Sequence, residues 1–167
     1  MALGNDASSG GNVAVGYQAL QDQNTASSNN VAVGYQAATN LDGGTDSVYV
    51  GYLAGGVGAI VGDNNVVVGR SAALNVTSTA DSVYIGSGSA GLGVTTGNDN
   101  VCIGKNTGQD LTSGAANVLV GKNAGLNITT AQNNVVIGKD AWGSGVGVAS
   151  GGAAGQYNVV VGGGAGN

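Results

Sequence analysis

The chain has 167 residues, with nine acidic residues (all Asp) against four basic ones for a net charge of −5, and it contains 34 Gly, no Pro, no Phe, no His and one Cys. The absence of His excludes Ser-His-Asp and Cys-His catalysis and His-ligated zinc, and a single Cys excludes a disulfide framework or a thiolate zinc site. The acidic balance leaves no electrostatic footprint for nucleic acid, and no apolar run approaches the roughly 18 residues needed to cross a bilayer. Few Lys and no Glu argue against a helical surface, and the length suggests one domain, residues 1–167.

One unit recurs nine times in chain order: Asn or Ser, Val, any residue, Val or Ile, then Gly. It begins at Asn12, Asn30, Ser47, Asn65, Ser82, Asn100, Asn117, Asn134 and Asn158. Its closing glycines are Gly16, Gly34, Gly51, Gly69, Gly86, Gly104, Gly121, Gly138 and Gly162, spaced by 18, 17, 18, 17, 18, 17, 17 and 24 residues. A small residue follows three positions after each: Ala19, Ala37, Ala54, Ala72, Ser89, Thr107, Ala124, Ala141 and Ala165. A partial tenth unit opens the chain at Met1–Gly4, and the last unit, 139–162, is longer and irregular.

Each unit predicts one coil of an all-β solenoid, a β-roll or β-helix of nine to ten coils of 17–18 residues. Val-x-Val/Ile is a short β-branched strand, and Gly supplies the tight turn after it. A second alternation, clearest at Leu74–Thr77, Leu92–Thr95 and Leu126–Thr129, predicts a second short strand per coil. Val13 and Val15 share a face, which this reading points into the coil. The middle column then faces outward: Ala14, Ala32, Tyr49, Val67, Tyr84, Cys102, Leu119, Val136 and Val160. A strand apolar on both faces is buried on both, so this column is expected to form the seam of a homotrimer. The Asn column before the strand predicts an amide hydrogen-bond ladder between coils.

The residue after each Gly reads Tyr17, Tyr35, Tyr52, Arg70, Ser87, Lys105, Lys122, Lys139 and Gly163. Aromatic rings beside cations suit a surface glycan; the plainer and preferred reading is that Tyr packs a seam and Lys blunts aggregation or pairs with turn Asp. Trp142 opens the irregular unit, which reads either as a receptor-contacting loop or as a looser coil. Asp46, Asp81 and Asp99, with Asp63, either hold Ca²⁺ or satisfy backbone donors in Asx turns, and the second reading is preferred because G-G-x-G-x-D does not occur. No cofactor or metal is assigned. The sequons at Asn75 and Asn127 arise readily in Asn-rich sequence, and Cys102 reads as packing rather than redox chemistry.

The V/I-G-x-x-A spacing invites comparison with left-handed hexapeptide β-helix acyltransferases, but the positions six and twelve residues after Val15 are Gln21 and Ser27, not aliphatic. NVAVGYQAL at Asn12–Leu20 and NVAVGYQAA at Asn30–Ala38 resemble repeats of bacteriophage tail-fibre and related virion fibre proteins. They are similar, more distantly, to the head repeats of trimeric autotransporter adhesins. The resemblance runs from Leu3 to Gly166. It implies a homotrimeric fibre shaft or head with no catalytic residues, located on a virion or at the cell surface. Its implied partners are further copies of itself, other fibre or virion proteins and a host-surface glycan. The chain opens and closes in mid-coil, which suggests a piece of a longer fibre. Two other classes stand beside this one. An ice-binding solenoid would use Thr77, Thr95, Thr112 and Thr129 as an array, and a polysaccharide-degrading tailspike would need Asp alone as its catalytic carboxylates.

Overall fold

The computed structural model describes residues 10–22, 27–56, 58–89, 95–143 and 155–166. Nine three-residue strands form one parallel sheet whose spatial order is the chain order: β1 (Val13–Val15), β2 (Val31–Val33), β3 (Val48–Val50), β4 (Val66–Val68), β5 (Val83–Ile85), β6 (Val101–Ile103), β7 (Val118–Val120), β8 (Val135–Ile137) and β9 (Val159–Val161). Every pairing is in register, so Val13 lies over Val31, Val31 over Val48, and so on to Val159. This is a parallel β-solenoid. Seven regular turns run from β1 to β8, and one longer turn leads to β9. The partial coil expected at Met1–Gly4 lies outside the described residues.

The glycine column shows why the repeat needs Gly. At each of the nine positions φ lies between +128° and +142°, a region that side chains strain to enter. From Gly16 to Gly138, a Cβ would also run into the backbone of the next coil; at Gly69 it would stand 2.6 Å from the Gly86 carbonyl oxygen. At Gly162, where no further coil is stacked, the nearest atom to such a Cβ is the Ala165 Cβ at 3.6 Å. The steric demand for Gly therefore comes from coil stacking, and the turn adds the demand on φ.

The second strand predicted for each coil is not formed among the described residues. The far wall carries only isolated bridges, Leu41 with Ile60, Val76 with Thr95 and Gln132 with Gln156. Coils that alternate between 17 and 18 residues keep their strands in register, so the odd residue is absorbed on the far wall and breaks the ladder there. Coil-to-coil bonds persist nonetheless, such as Thr112 N–H to the Thr129 carbonyl at 2.9 Å.

The strand faces are the reverse of the sequence expectation. The middle column points into the coil: Ala32, Tyr84, Cys102, Leu119 and Val136 are completely buried, Tyr49 and Val67 nearly so, and Ala14 and Val160 pack against them at the ends. These nine residues are therefore interior to their own chain, and the seam assigned to them has no surface there. The core is completed by the small-residue column from Ala19 to Ala141 and by Leu41, Ile60, Val76, Leu111 and Ile128 from the far wall.

The reason is parity. The Asn/Ser column preceding each strand lies on the same face as the middle residue, because successive strand residues alternate. Asn30, Asn65, Asn100, Asn117 and Asn134 are buried, and they form the expected ladder through the coil interior. The Asn100 carboxamide oxygen accepts from the Asn117 backbone N–H at 3.1 Å, and its Nδ2 donates to the Gly97 carbonyl at 3.0 Å and to the Gly114 carbonyl of the next coil at 2.8 Å. Ser47 and Ser82 keep the chain of bonds running where Asn is replaced.

Candidate functional site

With the middle column inside, the flanking residues of every strand face out. All eighteen are Val or Ile, in two parallel columns: Val13 to Val159 and Val15 to Val161. None is buried; along the body of the sheet Val66, Ile103 and Ile137 are 36%, 37% and 39% exposed, and the other flanking residues there are half-buried. Eight interstrand steps of about 4.8 Å make this stripe about 38 Å tall, with its columns about 7 Å apart. It is an unbroken apolar face on an otherwise polar repeat, the kind of surface that marks an interaction site.

A second column borders the stripe, one residue beyond each Gly. Tyr17, Tyr35 and Tyr52 are exposed and stack on one another, with ring centroids 5.2 and 5.3 Å apart and planes within 19° and 12° of parallel. Arg70 continues the stack, its guanidinium carbon 5.7 Å from the Tyr52 centroid. These rings spend their faces on each other and present edges and hydroxyls to solvent. Lys105, Lys122 and Lys139 follow lower in the column and are exposed. Together with Arg70 they are every basic residue in the chain, so a molecule of net charge −5 carries all its cations on one line. Lys139 pairs with Asp140 at 3.3 Å. A hydrogen bond from Asn123 Nδ2, 2.7 Å away, is the main influence holding the Asp140 carboxyl below its usual value.

Between Arg70 and Lys105 the column drops to Ser87, followed by Gly88. The shortfall in side-chain volume opens a cavity of about 270 Å³ lined by Arg70, Ser71, Leu74, Ser87, Gly88, Lys105, Asn106 and Gln109. Only Arg70 and Lys105 of this group stood out in the sequence. The signal for the rest was a Ser in a column otherwise filled, in its first eight coils, by Tyr, Arg and Lys.

Other candidates are placed more plainly. Trp142 is 5% exposed and belongs to the core, which overturns its reading as a receptor-facing residue; the indole is large and apolar, and the residue's backbone N–H donates to the Ala165 carbonyl of the last coil at 2.8 Å. The bulk of the irregular unit, residues 144–154, lies outside the described residues. Asp46, Asp81 and Asp99 all have φ between +55° and +59°, as do Asn29, Asn64 and Asn133 in the same column. Asp and Asn tolerate this left-handed conformation better than other side chains, which accounts for their presence without a metal. Asn64 Nδ2 donates to Asp81 Oδ1 at 3.0 Å, linking one coil to the next. Among the described residues no group of three potential ligands gathers in a metal-binding arrangement. Thr95 is buried and its hydroxyl donates to the Leu111 carbonyl at 3.0 Å, so the Thr column offers no flat hydroxyl array. Cys102 is fully buried, and desolvation pushes its thiol up to about 12, away from thiolate chemistry. No helix among the described residues is long and apolar enough to cross a membrane. Comparison with protein-family models, with curated proteins and with solved structures returns no match.

Proposed function

We propose that the chain is a rigid shaft or head segment of a surface fibre, assembled as a homotrimer and serving host-surface attachment on a bacteriophage tail fibre or a related virion appendage. The observation that carries this reading is the Val/Ile stripe. It runs the full height of the sheet in two columns of equal chemistry. Around a three-fold axis each chain can offer one column to each neighbour, a head-to-tail contact that closes after three copies. A stripe this tall and narrow fits an axial seam better than a broad two-body interface, which buries about 800 Å² per partner. The resemblance of NVAVGYQAL and NVAVGYQAA to fibre repeats points the same way. The head of a bacterial trimeric adhesin is the second reading, supported by the same repeat and separated from the first by whether antibody against the chain labels a virion or a cell.

Light scattering tests the assembly. The expected particle has a mass of about 47 kDa, three times the 15.8 kDa chain. Replacing Val48, Val83 and Val118 together by Lys is expected to yield a folded monomer, because the seam would bury three unpaired ammonium groups that stay hydrated on a single chain. A monodisperse 15.8 kDa wild-type species would sink the proposal.

A further inference from the structure

We propose that the notch at Ser87–Gly88 is a binding site for an acidic sugar residue, whose carboxylate pairs with Arg70 while Lys105 donates to a ring hydroxyl at the other end of the gap. The two cations stand two coils apart, about 10 Å along the axis, on either side of the gap that Ser87 leaves. Among the described residues neither has a carboxylate within ion-pair distance, in contrast to Lys139. Arg70 is also held in place by its position over the Tyr52 ring, so one half of the cation pair is preorganised.

The rest of the lining is chosen from neutral hydrogen-bonding groups: the Ser71 and Ser87 hydroxyls and the Asn106 and Gln109 amides. That combination matches a ring of hydroxyls around one anionic group. Leu74 supplies a single apolar wall for the C–H face of such a ring. The volume, about 270 Å³, is far larger than one inorganic oxyanion fills and just below the range of drug-sized pockets. Gly88 keeps the floor open: its φ is +68°, and a Cβ there would stand 3.0 Å from Asn106 Oδ1. In a molecule whose net charge repels anions, a site for one requires cations gathered as they are here.

The inference extends the attachment reading and takes its biological setting from it, but the notch lies within one chain and its occupancy does not depend on assembly. The test is an NMR titration of the full chain with glucuronate, with glucose as the uncharged match and inorganic phosphate as the bare oxyanion. Glucuronate is expected to shift the amides of Ser87, Gly88 and Asn106 at millimolar concentration, more tightly than either control. Lys105→Gln and Arg70→Gln should each weaken it about tenfold, the cost of one charged hydrogen bond. Ser87→Tyr should abolish binding by filling the notch while leaving the fold intact, since Tyr already occupies this column at Tyr17, Tyr35 and Tyr52. The proposal is overturned if glucuronate does not bind, if glucose or phosphate binds as tightly, or if a folded Ser87→Tyr chain binds unchanged. Light scattering on the same samples separates the two ideas, because a monomer that binds glucuronate removes the fibre and keeps the notch.

Discussion

At Tyr84 the coil buries a phenol whose oxygen has no hydrogen-bond partner, and Tyr49 repeats the situation two coils earlier. Ser82, Asn100 and Thr79 stand beside Tyr84. Ser82 donates to the Ala80 carbonyl at 3.0 Å and accepts from the Asn100 N–H at 3.1 Å. The Asn100 amide donates to the Gly97 and Gly114 carbonyls, and the Thr79 hydroxyl is itself unpartnered. A buried hydroxyl left without a partner costs on the order of 1–3 kcal/mol. Tyr84→Phe keeps the ring and removes that oxygen, so it is expected to stabilise the chain by about 1–2 kcal/mol in chemical denaturation; a destabilised variant would show that the hydroxyl has a role in the coil. Burial also raises the Tyr84 phenol above its ordinary 10.0 and the Cys102 thiol from 9.0 to about 12. Groups raised on folding contribute stability that is intact below their unfolded values and lost as pH climbs through the folded ones. The melting temperature should therefore fall above about pH 9, and Tyr84→Phe should make that alkaline decline shallower.

Among the elements, the strand and its preceding Asn separate what the repeat dictates from what it leaves open. Nine strands, their order, the closing glycines and the amide ladder all follow from the repeat, because each is fixed by a residue type at a constant offset. The direction of the strand faces was open to error because both faces are apolar, and a period-two pattern does not say which is in. The deciding clue is Asn: an amide ladder needs shelter from water, and Asn100 shares its face with Cys102, not with Val101. The size range of the middle column, Ala to Tyr, is a further sign of an interior fitted coil by coil, whereas the outer columns never depart from Val and Ile. Asn100→Ala would strand the Asn117 N–H and the Gly97 and Gly114 carbonyls inside the coil. A loss of about 2–5 kcal/mol is expected in urea unfolding. The same change at Asn12, half-buried in the first strand's coil, should cost less; equal costs would argue against an internal ladder.

For the whole molecule, the cation column could be listed from the sequence, but the notch could not. A cavity is a difference between neighbours, and it appears only when Ser87 is stacked between Arg70 and Lys105. The apolar stripe likewise needed the fold, since eighteen scattered Val and Ile become one surface only when nine strands align. That alignment has a mechanical consequence. The bonds joining coils, from Val13 N–H to the Asn30 carbonyl at 2.7 Å through Gly162 N–H to the Ile137 carbonyl at 2.9 Å, run along the stacking axis. Tension applied to the two ends of a chain therefore loads one coil's bonds at a time. Each release should pay out 17–18 residues, about 60 Å of extended chain. Pulling a single chain in optical tweezers should give a sawtooth of that spacing, and one abrupt rupture would contradict it. A fibre built this way would yield to a hard pull by shedding coils in sequence, shortening its folded length in even decrements while the remainder holds.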